Sequence, residues 1–322
     1  ASYVYFHHSG SAAKVPAEET AETAVPQATP EVHTAKLFMT GDGLIHGTVW
    51  MDAQTADGSY DFSPMLENLQ PIVSQYDLKY YNQETILGGT ELGLHGYPRF
   101  NSPQEFGDAM VGLGFNLVST ANNHSLDKDE EGILRSTAYW QKQTGVVMAG
   151  TYASQADHDA MEVHEINGIS YVFLSYTYGC NGLEPPAGKE YLVNIYTGHE
   201  EELLARIKEA RQKADVVIVA MHWGTEYSME ANDEQRSLAK QMADAGAGII
   251  IGCHPHVIEP VEWIGDTICY YSLGNMISAQ DQQARLIGMI GGVTITKTID
   301  ASGASSVKIS DAKADLIYTY YR

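Results

Sequence analysis

The stretch from Ile249 to Pro260 reads IIIGCHPHVIEP, and it combines a strand signal with a chemical one. Three β-branched residues lead into a glycine, which is typical of a buried strand that ends in a turn. The residue before a proline is pushed toward extended conformations, so His254 is predicted to be extended. In an extended segment residues i and i+2 point the same way, so His254 and His256 should face one point. Two such imidazoles suit a transition metal, although two hydrogen-bonded loop histidines would give the same pattern.

From Lys36 onward, short apolar runs alternate with segments of helical periodicity. Continuous Val/Ile runs joined by helices predict buried, largely parallel strands, as in an α/β protein. Asn167 and Gly168 stand between two alternating runs, which predicts a two-residue hairpin and adds antiparallel strands. The chain of 322 residues is long enough for one large domain, and we predict a single domain over residues 36–322.

The N-terminal part of the sequence has a different composition. Residues 10–34 read GSAAKVPAEETAETAVPQATPEVHT, rich in Ala, Thr, Pro and Glu and without an aromatic residue. This composition predicts a disordered or extended spacer over residues 1–35, either a plain terminus or a stalk beside a membrane. The sequence opens at Ala1 without a methionine, which leads us to expect an N-terminal signal or anchor that has been removed.

The charge balance restricts the partners. The chain has 41 Asp and Glu against 19 Lys and Arg, for a formal net charge of −22. A chain this acidic is not expected to bind nucleic acid or anionic lipid over a broad surface. An anionic substrate would need a local attraction, such as a metal ion. The 3 cysteines form no C-x-x-C pair, which excludes a structural zinc knuckle.

Polar side chains recur at the ends of other apolar runs. These further residues are Asp42, Glu84, Asn122, Asn123, His124 and His222. Open α/β sheets bind their ligands at the carboxyl ends of the strands, so the side chains are expected to meet there. The sequence has no G-x-S-x-G, no P-loop and no dinucleotide-binding G-x-G-x-x-G. A mixed nitrogen and oxygen set suits zinc, manganese or iron better than calcium.

Six motifs occur together between residues 36 and 290. They are GD (41–42), NQET (82–85), ANNHSLD (121–127), HWGTEY (222–227), GCHPHV (252–257) and YYSLGN (270–275). In this order they resemble the CapA family of capsule-synthesis proteins, which is linked to poly-γ-glutamate production and belongs to the calcineurin-like metallophosphatase superfamily. The resemblance implies a metallophosphatase-like four-layer α/β/β/α sandwich with mixed sheets.

The resemblance also implies roles for individual residues. The implied metal ligands, for one or two divalent ions of manganese, zinc or iron, are Asp42, Glu84, Asn123, His222, His254 and His256. His124 would lie beside the substrate as the catalytic histidine, and Asp127 would orient its ring. Asn122, Glu226 and Arg99 are the candidate substrate-binding residues, although a lone arginine in a Gly-rich loop is more often simply solvated.

Three positions depart from the usual pattern, and one of them, Gln83 where the family usually has leucine, is expected to have little effect. Leu44 stands where the first motif usually carries a histidine, and His46 has the wrong spacing to replace it. One metal is therefore expected to lack a ligand. Cys253 stands where a histidine is common, and it is either an additional ligand or a small buried residue.

Three functions remain open at this point. The first is a metal-dependent, phosphoesterase-like hydrolase at the cell surface, tethered to the membrane, with a phosphoester or poly-γ-glutamate as substrate. The second is a non-catalytic assembly partner of a membrane polyglutamate synthase or exporter. A soluble nucleotidase or phosphodiesterase unrelated to capsule is a third reading, which the N-terminal spacer disfavours.

Overall fold

The computed structural model describes residues 28–320, and within that range the chain forms two mixed β-sheets and flanking helices. The strands are β1 (Glu31–Gly43), β2 (Leu78–Gln83), β3 (Leu117–Ser119), β4 (Val147–Ala149), β5 (His164–Ile166), β6 (Ile169–Thr177), β7 (Val216–His222), β8 (Ile249–Cys253), β9 (Val261–Ile264), β10 (Thr267–Tyr270), β11 (Asn275–Ile277), β12 (Ile287–Ile299) and β13 (Ser305–Tyr318). The first sheet has the order β13-β12-β1-β2-β3-β4, with β11 beside β1. The second has the order β5-β6-β7-β8-β10-β9.

The helices cover the outer faces of both sheets. They are α1 (Gly47–Asp52), α2 (Ser63–Leu66), α3 (Gln70–Val73), α4 (Glu105–Gly112), α5 (Asp129–Gln141), α6 (Gln155–Asp159), α7 (Glu200–Lys213), α8 (Asp233–Ala245) and α9 (Gln283–Leu286). Among the described residues, none of these helices combines the length and apolarity needed to cross a bilayer.

Three hydrophobic clusters define four layers. The inner faces of the sheets meet in one cluster, where Tyr80 of β2 packs edge-on against Phe173 of β6. The outer face of the first sheet packs on α4 and α5, for example through Tyr81 and Phe106. The outer face of the second sheet packs on α7 and α8. The predicted α/β/β/α sandwich with mixed sheets is confirmed.

The predicted start of the domain needs correction. β1 begins at Glu31 rather than at residue 36, and Glu31 pairs with Ile299 of the antiparallel β12. Residues 31–35, predicted as spacer, therefore belong to the first sheet, because β12 supplies a partner that the local composition does not reveal. The predicted spacer over residues 1–27 lies outside the described residues.

The strand directions bring several carboxyl ends to one edge. β1, β2 and β3 are parallel neighbours in the first sheet, and β7 and β8 are parallel neighbours in the second. At Gly41 the backbone of β1 approaches Gly274 so closely that a Cβ atom would overlap its carbonyl oxygen. Glycine therefore allows β1 to place Asp42 deep between the sheets.

Candidate metal centre

The first sheet contributes oxygen atoms to a buried cluster. Asp42 is near the end of β1, Glu84 directly follows β2, and Asn123 lies in the turn after β3. Asp42 and Glu84 are fully buried, and Asn123 is 2% exposed. The parallel order of the three strands explains why residues far apart in sequence meet here.

The second sheet contributes three imidazoles. His222 is the last residue of β7, and His254 and His256 follow β8. The ring centroids of His222 and His254 lie 4.8 Å apart, and those of His254 and His256 lie 5.9 Å apart. All three side chains are buried.

The extended backbone predicted for the paired histidines is wrong. His254 has φ 107° and His256 has φ 60°, so neither residue is extended. Positive φ is unfavourable for residues with a Cβ atom and is found where the surroundings enforce it, often at functional sites. The two imidazoles approach each other through a strained turn, not through strand alternation.

The polar atoms of the two sheets lie within a few ångströms of each other. Glu84 Oε1 is 3.6 Å from His222 Nε2 and 3.7 Å from His256 Nε2. Asn123 Oδ1 is 2.9 Å from His222 Nε2, and Asp42 Oδ2 is 3.3 Å from His256 Nδ1. Donor atoms at such separations can share one ion at ligand distances of about 2.0–2.2 Å.

Several of these atoms have no hydrogen-bond partner among the described residues. They are Asp42 Oδ2, both carboxylate oxygens of Glu84, and His254 Nδ1. One donor atom from each of Glu84, His254 and His256 lies within 4.8 Å of the others. Burying unpartnered carboxylates costs several kcal/mol per ion. A divalent cation would satisfy these atoms, and the nitrogen and oxygen donors suit a transition metal.

The protonation of the imidazoles agrees with a role as ligands. Burial lowers the pKa of His222 to about 3 and that of His254 to about 2, so both are neutral near pH 7 and offer lone pairs. Burial and the negative charge of Asp42 raise the pKa of Glu84 to about 8. Burial lowers the pKa of His256, but Glu84 and Asp42 outweigh it and raise the value to about 9. Without a cation, Glu84 and His256 therefore retain protons.

Asn275 determines which nitrogen of His256 is available. Its amide nitrogen donates to Gln280 Oε1 (2.9 Å) and to the carbonyl of Arg285 (3.0 Å). Its Oδ1 therefore faces His256 Nδ1, 2.9 Å away, and accepts a hydrogen bond from it. This leaves Nε2 of His256 directed at Glu84, as expected when a second residue orients a metal ligand.

Asn82 connects the two sheets behind the cluster. Its Nδ2 donates to Asp42 Oδ1 (2.8 Å) and lies 3.5 Å from His222 Nδ1. Its Oδ1 accepts from the hydroxyl of Ser119 (2.8 Å). Sequence reasoning assigned no role to Asn82 or Asn275, although Asn82 belongs to the motif NQET and Asn275 to the motif YYSLGN. Their place in these motifs was the available signal.

His124 and Asp127 form a buried pair beside the cluster. His124 Nδ1 lies 2.6 Å from Asp127 Oδ2, which also accepts from the backbone N–H of Phe100 (2.7 Å). The ring of Phe100 packs edge-on against His124 with centroids 4.7 Å apart. Phe100 therefore restricts the position of the imidazole ring. His124 directly follows Asn123, whose Oδ1 contacts His222, so the pair lies next to the cluster.

Asn122 has a different role from the one predicted. Its Nδ2 donates to the carbonyl of Gln83 (2.9 Å), and its Oδ1 accepts from the backbone N–H of His124 (2.9 Å). Because its amide is engaged within the protein and the residue is 1% exposed, it is not free to bind substrate. Asn122 fixes the turn that carries Asn123 and His124.

The other two candidate substrate-binding residues differ in position. Glu226 is partly exposed, and its Oε1 lies 4.0 Å from His254 Nε2, at the rim of the cluster. Arg99 donates to Asp129 (3.1 Å) and is 48% exposed. Its charge is thus already paired at the surface, which disfavours the predicted contact with substrate.

The residues that depart from the superfamily pattern, Leu44 and Cys253, are buried. Leu44 is 2% exposed and offers no ligand atom. The Nδ1 atom of His46 accepts from the backbone N–H of Ala279 (3.0 Å), so its lone pair is in use. Burial lowers the pKa of His46 to about 4, so the ring is neutral. Burial also raises the pKa of the Cys253 thiol well above its usual range, which favours a small buried residue over a thiolate ligand.

Two facing sheets between helical layers, with carboxylates and imidazoles at the ends of strands from both sheets, define an α/β/β/α sandwich protein with a candidate metal centre between its sheets. The sequence profile of the family described as Bacterial capsule synthesis protein PGA_cap matches residues 36–280. The chain belongs to this family.

Two curated relatives come from Bacillus species. The PGA biosynthesis protein CapA of Bacillus subtilis is 34% identical over 169 residues, which cover 52% of this chain and 44% of the relative. The capsule biosynthesis protein CapA of Bacillus anthracis is 31% identical over 186 residues, which cover 56% of this chain and 44% of the relative. The matched part of the chain thus spans less than half the length of either relative.

Solved structures give more distant similarities. The Thermus thermophilus sulfate thiohydrolase SoxB, in complex with glycerol, is 11% identical, with a TM-score of 0.45 over 88% of this chain and 56% of that chain. The purple acid phosphatase PPD1 from yellow lupin is 9% identical, with a TM-score of 0.32 over 87% of this chain and 53% of that chain. These values are too low to bear on activity.

Proposed function

We propose that this chain is a metal-dependent hydrolase of capsule biosynthesis, acting on an anionic substrate such as a phosphoester. The observation that carries the proposal is the state of Glu84, which is fully buried with neither carboxylate oxygen hydrogen-bonded. Such a carboxylate, facing His222 and His256, is what a cation site requires and what a purely structural core avoids.

A bound divalent cation would supply Lewis acidity and activate a water molecule. The protein's own contribution is to hold the surrounding groups in place. Asn82 and Asn275 orient Asp42 and His256 through the hydrogen bonds described above. These bonds keep the donor atoms directed at one point.

His124 is the residue suited to proton transfer. Asp127 holds its Nδ1, which leaves Nε2 free to exchange a proton with the substrate. The ring of Phe100 limits the movement of the imidazole. General acid or base catalysis of this kind typically contributes about 10²–10⁴ in rate. In this proposal His124 protonates the leaving group and Asp127 is a positioning residue.

The substrate proposal follows from charge. A protein with net charge −22 repels polyanions at long range. An anionic substrate, whether a phosphoester or poly-γ-glutamate, would therefore bind only where a cation reverses the local charge. Turnover should accordingly depend on the metal and rise with ionic strength for a polymer, since salt screens the long-range repulsion.

The test compares two variants of the purified protein. His254→Ala should lower metal content, and activity should fall with it, because His254 lies within the cluster. His124→Ala should keep its metal but lose about 10²–10⁴ in rate on a 4-nitrophenyl phosphoester or a γ-glutamyl substrate. Metal content is measured by mass spectrometry alongside turnover with manganese, zinc and magnesium. Equal metal loss in both variants would contradict the role of His124.

A second candidate is a non-catalytic assembly role, and Leu44 is the observation in its favour. An apolar, buried side chain occupies the position where the superfamily carries a ligand, which weakens one of two ion sites. In that case the parent protein turns over no substrate with any metal, and the two variants differ only in metal content and thermal stability.

The setting of the protein is part of the proposal. We place it at the cell surface, tethered to a membrane and working beside a polyglutamate synthase or exporter, on the strength of the family alone. Crosslinking in intact cells, followed by isolation of the membrane fraction, tests this placement. Recovery only from the interior of the cell would contradict it.

A further inference from the structure

Arg285 is a cation at the rim of the cluster without an acidic partner. Among residues 28–320, no carboxylate lies within ion-pair distance of its guanidinium, whose contact is with an aromatic ring. Arg99, Arg135 and Arg236, in contrast, each pair with an acidic side chain. Arg211 also lacks an ion pair among the described residues, but its guanidinium donates to the carbonyl of Ala214 (2.9 Å).

Arg285 is held by one contact at its side chain and one at its backbone. Its Cζ atom lies 3.4 Å from the ring centroid of Tyr227, so the guanidinium stacks on the ring. Its carbonyl accepts from Asn275 Nδ2 (3.0 Å), and Asn275 in turn orients His256. Both contacts hold Arg285 in a defined position relative to the cluster.

Tyr227 also connects this arginine to the site. Its ring centroid is 6.3 Å from that of His256, and its backbone N–H donates to the carbonyl of Pro255 between the two histidines (2.8 Å). Tyr227 is itself held at φ 66°, an uncommon conformation for a residue with a Cβ atom. The rim made by Tyr227 and Arg285 is therefore tied to the backbone that carries the imidazoles.

A stacked guanidinium keeps its N–H groups available in its own plane. This planar fork matches a carboxylate or phosphate with two parallel hydrogen bonds. We propose that Arg285 binds a second anionic group of the substrate, a carboxylate or a phosphate, while the reacting group lies at the cluster. This inference rests on the proposed function, because it assumes that a substrate occupies the cluster.

The experiment measures binding rather than turnover. The probes are methylphosphonate, which has one anionic group, and the series 3-phosphonopropionate, 4-phosphonobutyrate and ethylene-1,2-bisphosphonate, which add a carboxylate or a second phosphonate. Dissociation constants are determined by calorimetry on manganese-loaded protein, with metal content checked in each sample. Of the three probes with two anionic groups, the parent should bind the best one about 10–100-fold more tightly than methylphosphonate. Comparing the dissociation constants of the two phosphonocarboxylates with that of the bisphosphonate then shows whether the second group is preferably a carboxylate or a phosphate.

Three variants test the residue. Arg285→Ala should lose the 10–100-fold preference while still binding methylphosphonate like the parent. Arg285→Lys should keep only part of it, because an ammonium group lacks the planar fork. Arg135→Ala, which removes a surface arginine already paired with Glu131, is the matched control and should behave like the parent.

The outcomes separate this inference from the proposed function. If the parent shows no preference for a second anion, or Arg285→Ala keeps it, the role of Arg285 is wrong. If the preference depends on Arg285 but no phosphoester is hydrolysed, the anion site stands and the hydrolase proposal fails. If hydrolysis occurs and the Arg285 variants bind every probe like the parent, only the present inference fails.

Discussion

Replacing Glu84 by glutamine removes a titratable carboxyl group from a fully buried position and keeps the shape of the side chain. In the protein without a cation, both carboxylate oxygens of Glu84 lack partners, and Asp42 adds a second negative charge nearby. Burial and Asp42 raise the pKa of Glu84 from 4.5 to about 8. The substitution should therefore stabilise the cation-free protein while destroying its ability to bind metal.

The sign and size follow from proton linkage. A raised carboxyl pKa means that the folded chain binds the proton more tightly than the unfolded chain, so stability is present at low pH and is lost as the pH rises from 4.5 towards about 8. At about pH 7, roughly 2.5 units above the unfolded value, this amounts to about 3 kcal/mol at about 1.36 kcal/mol per unit. The cost of burying the glutamine amide offsets part of it, which leaves a net gain of about 1–3 kcal/mol.

The assay is thermal unfolding near neutral pH, with chelator and with manganese. With chelator, Glu84→Gln should melt several degrees above the parent, since 1 kcal/mol shifts the midpoint by about 2–4 °C in a domain of this size. With manganese the order should reverse, because only the parent gains stability from binding.

Glu259→Gln is the matched control. Glu259 is buried, has one oxygen without a partner and has a pKa raised to about 7 by burial, but it lies outside the cluster. Its substitution should stabilise the protein equally with and without metal. The reasoning would be refuted if the Glu84→Gln variant melted below the parent with chelator present. It would also be refuted if manganese raised the melting temperatures of the parent and of Glu84→Gln equally.

Two further predictions concern metal affinity. Glu84 and His256, with pKa values of about 8 and about 9, must release protons to act as ligands, so affinity should rise between about pH 6 and about pH 9; a flat profile in a competition titration with a chelating dye would contradict this. Asn275→Ala should weaken metal binding by about 10–100-fold, because His256 loses the acceptor that orients it; unchanged affinity in the same titration would remove Asn275 from the site.

The fold could be predicted largely from local patterns. The apolar runs and the Asn167-Gly168 hairpin are both present, since they depend on periodicity and turn chemistry. The start of β1 could not be predicted, because residues 31–35 become a strand only through pairing with β12. Pairing between distant segments leaves little trace in local composition.

The cluster shows a similar division. Residues with chemical character at strand ends were identified from the sequence, and Asp42, Glu84, Asn123 and the three histidines do lie together. The sequence did not show which polar side chains already have a hydrogen-bond or ion-pair partner within the protein. Arg99 pairs with Asp129, whereas Arg285 on the short helix α9 has no such partner, and only tertiary structure distinguishes these two arginines.

The cluster draws its oxygen donors from one sheet and its imidazoles from the other. A shared ion would therefore act as a crosslink between two halves that also touch through apolar side chains, the ion pair of Lys297 with Asp215, and hydrogen bonds such as that between Asn123 and His222. Such a crosslink makes the unfolding of the two sheets more cooperative, since neither can open at that edge alone. Amide hydrogens at the carboxyl ends of β2 and β7 should then exchange together when metal is present and at separate rates after chelation.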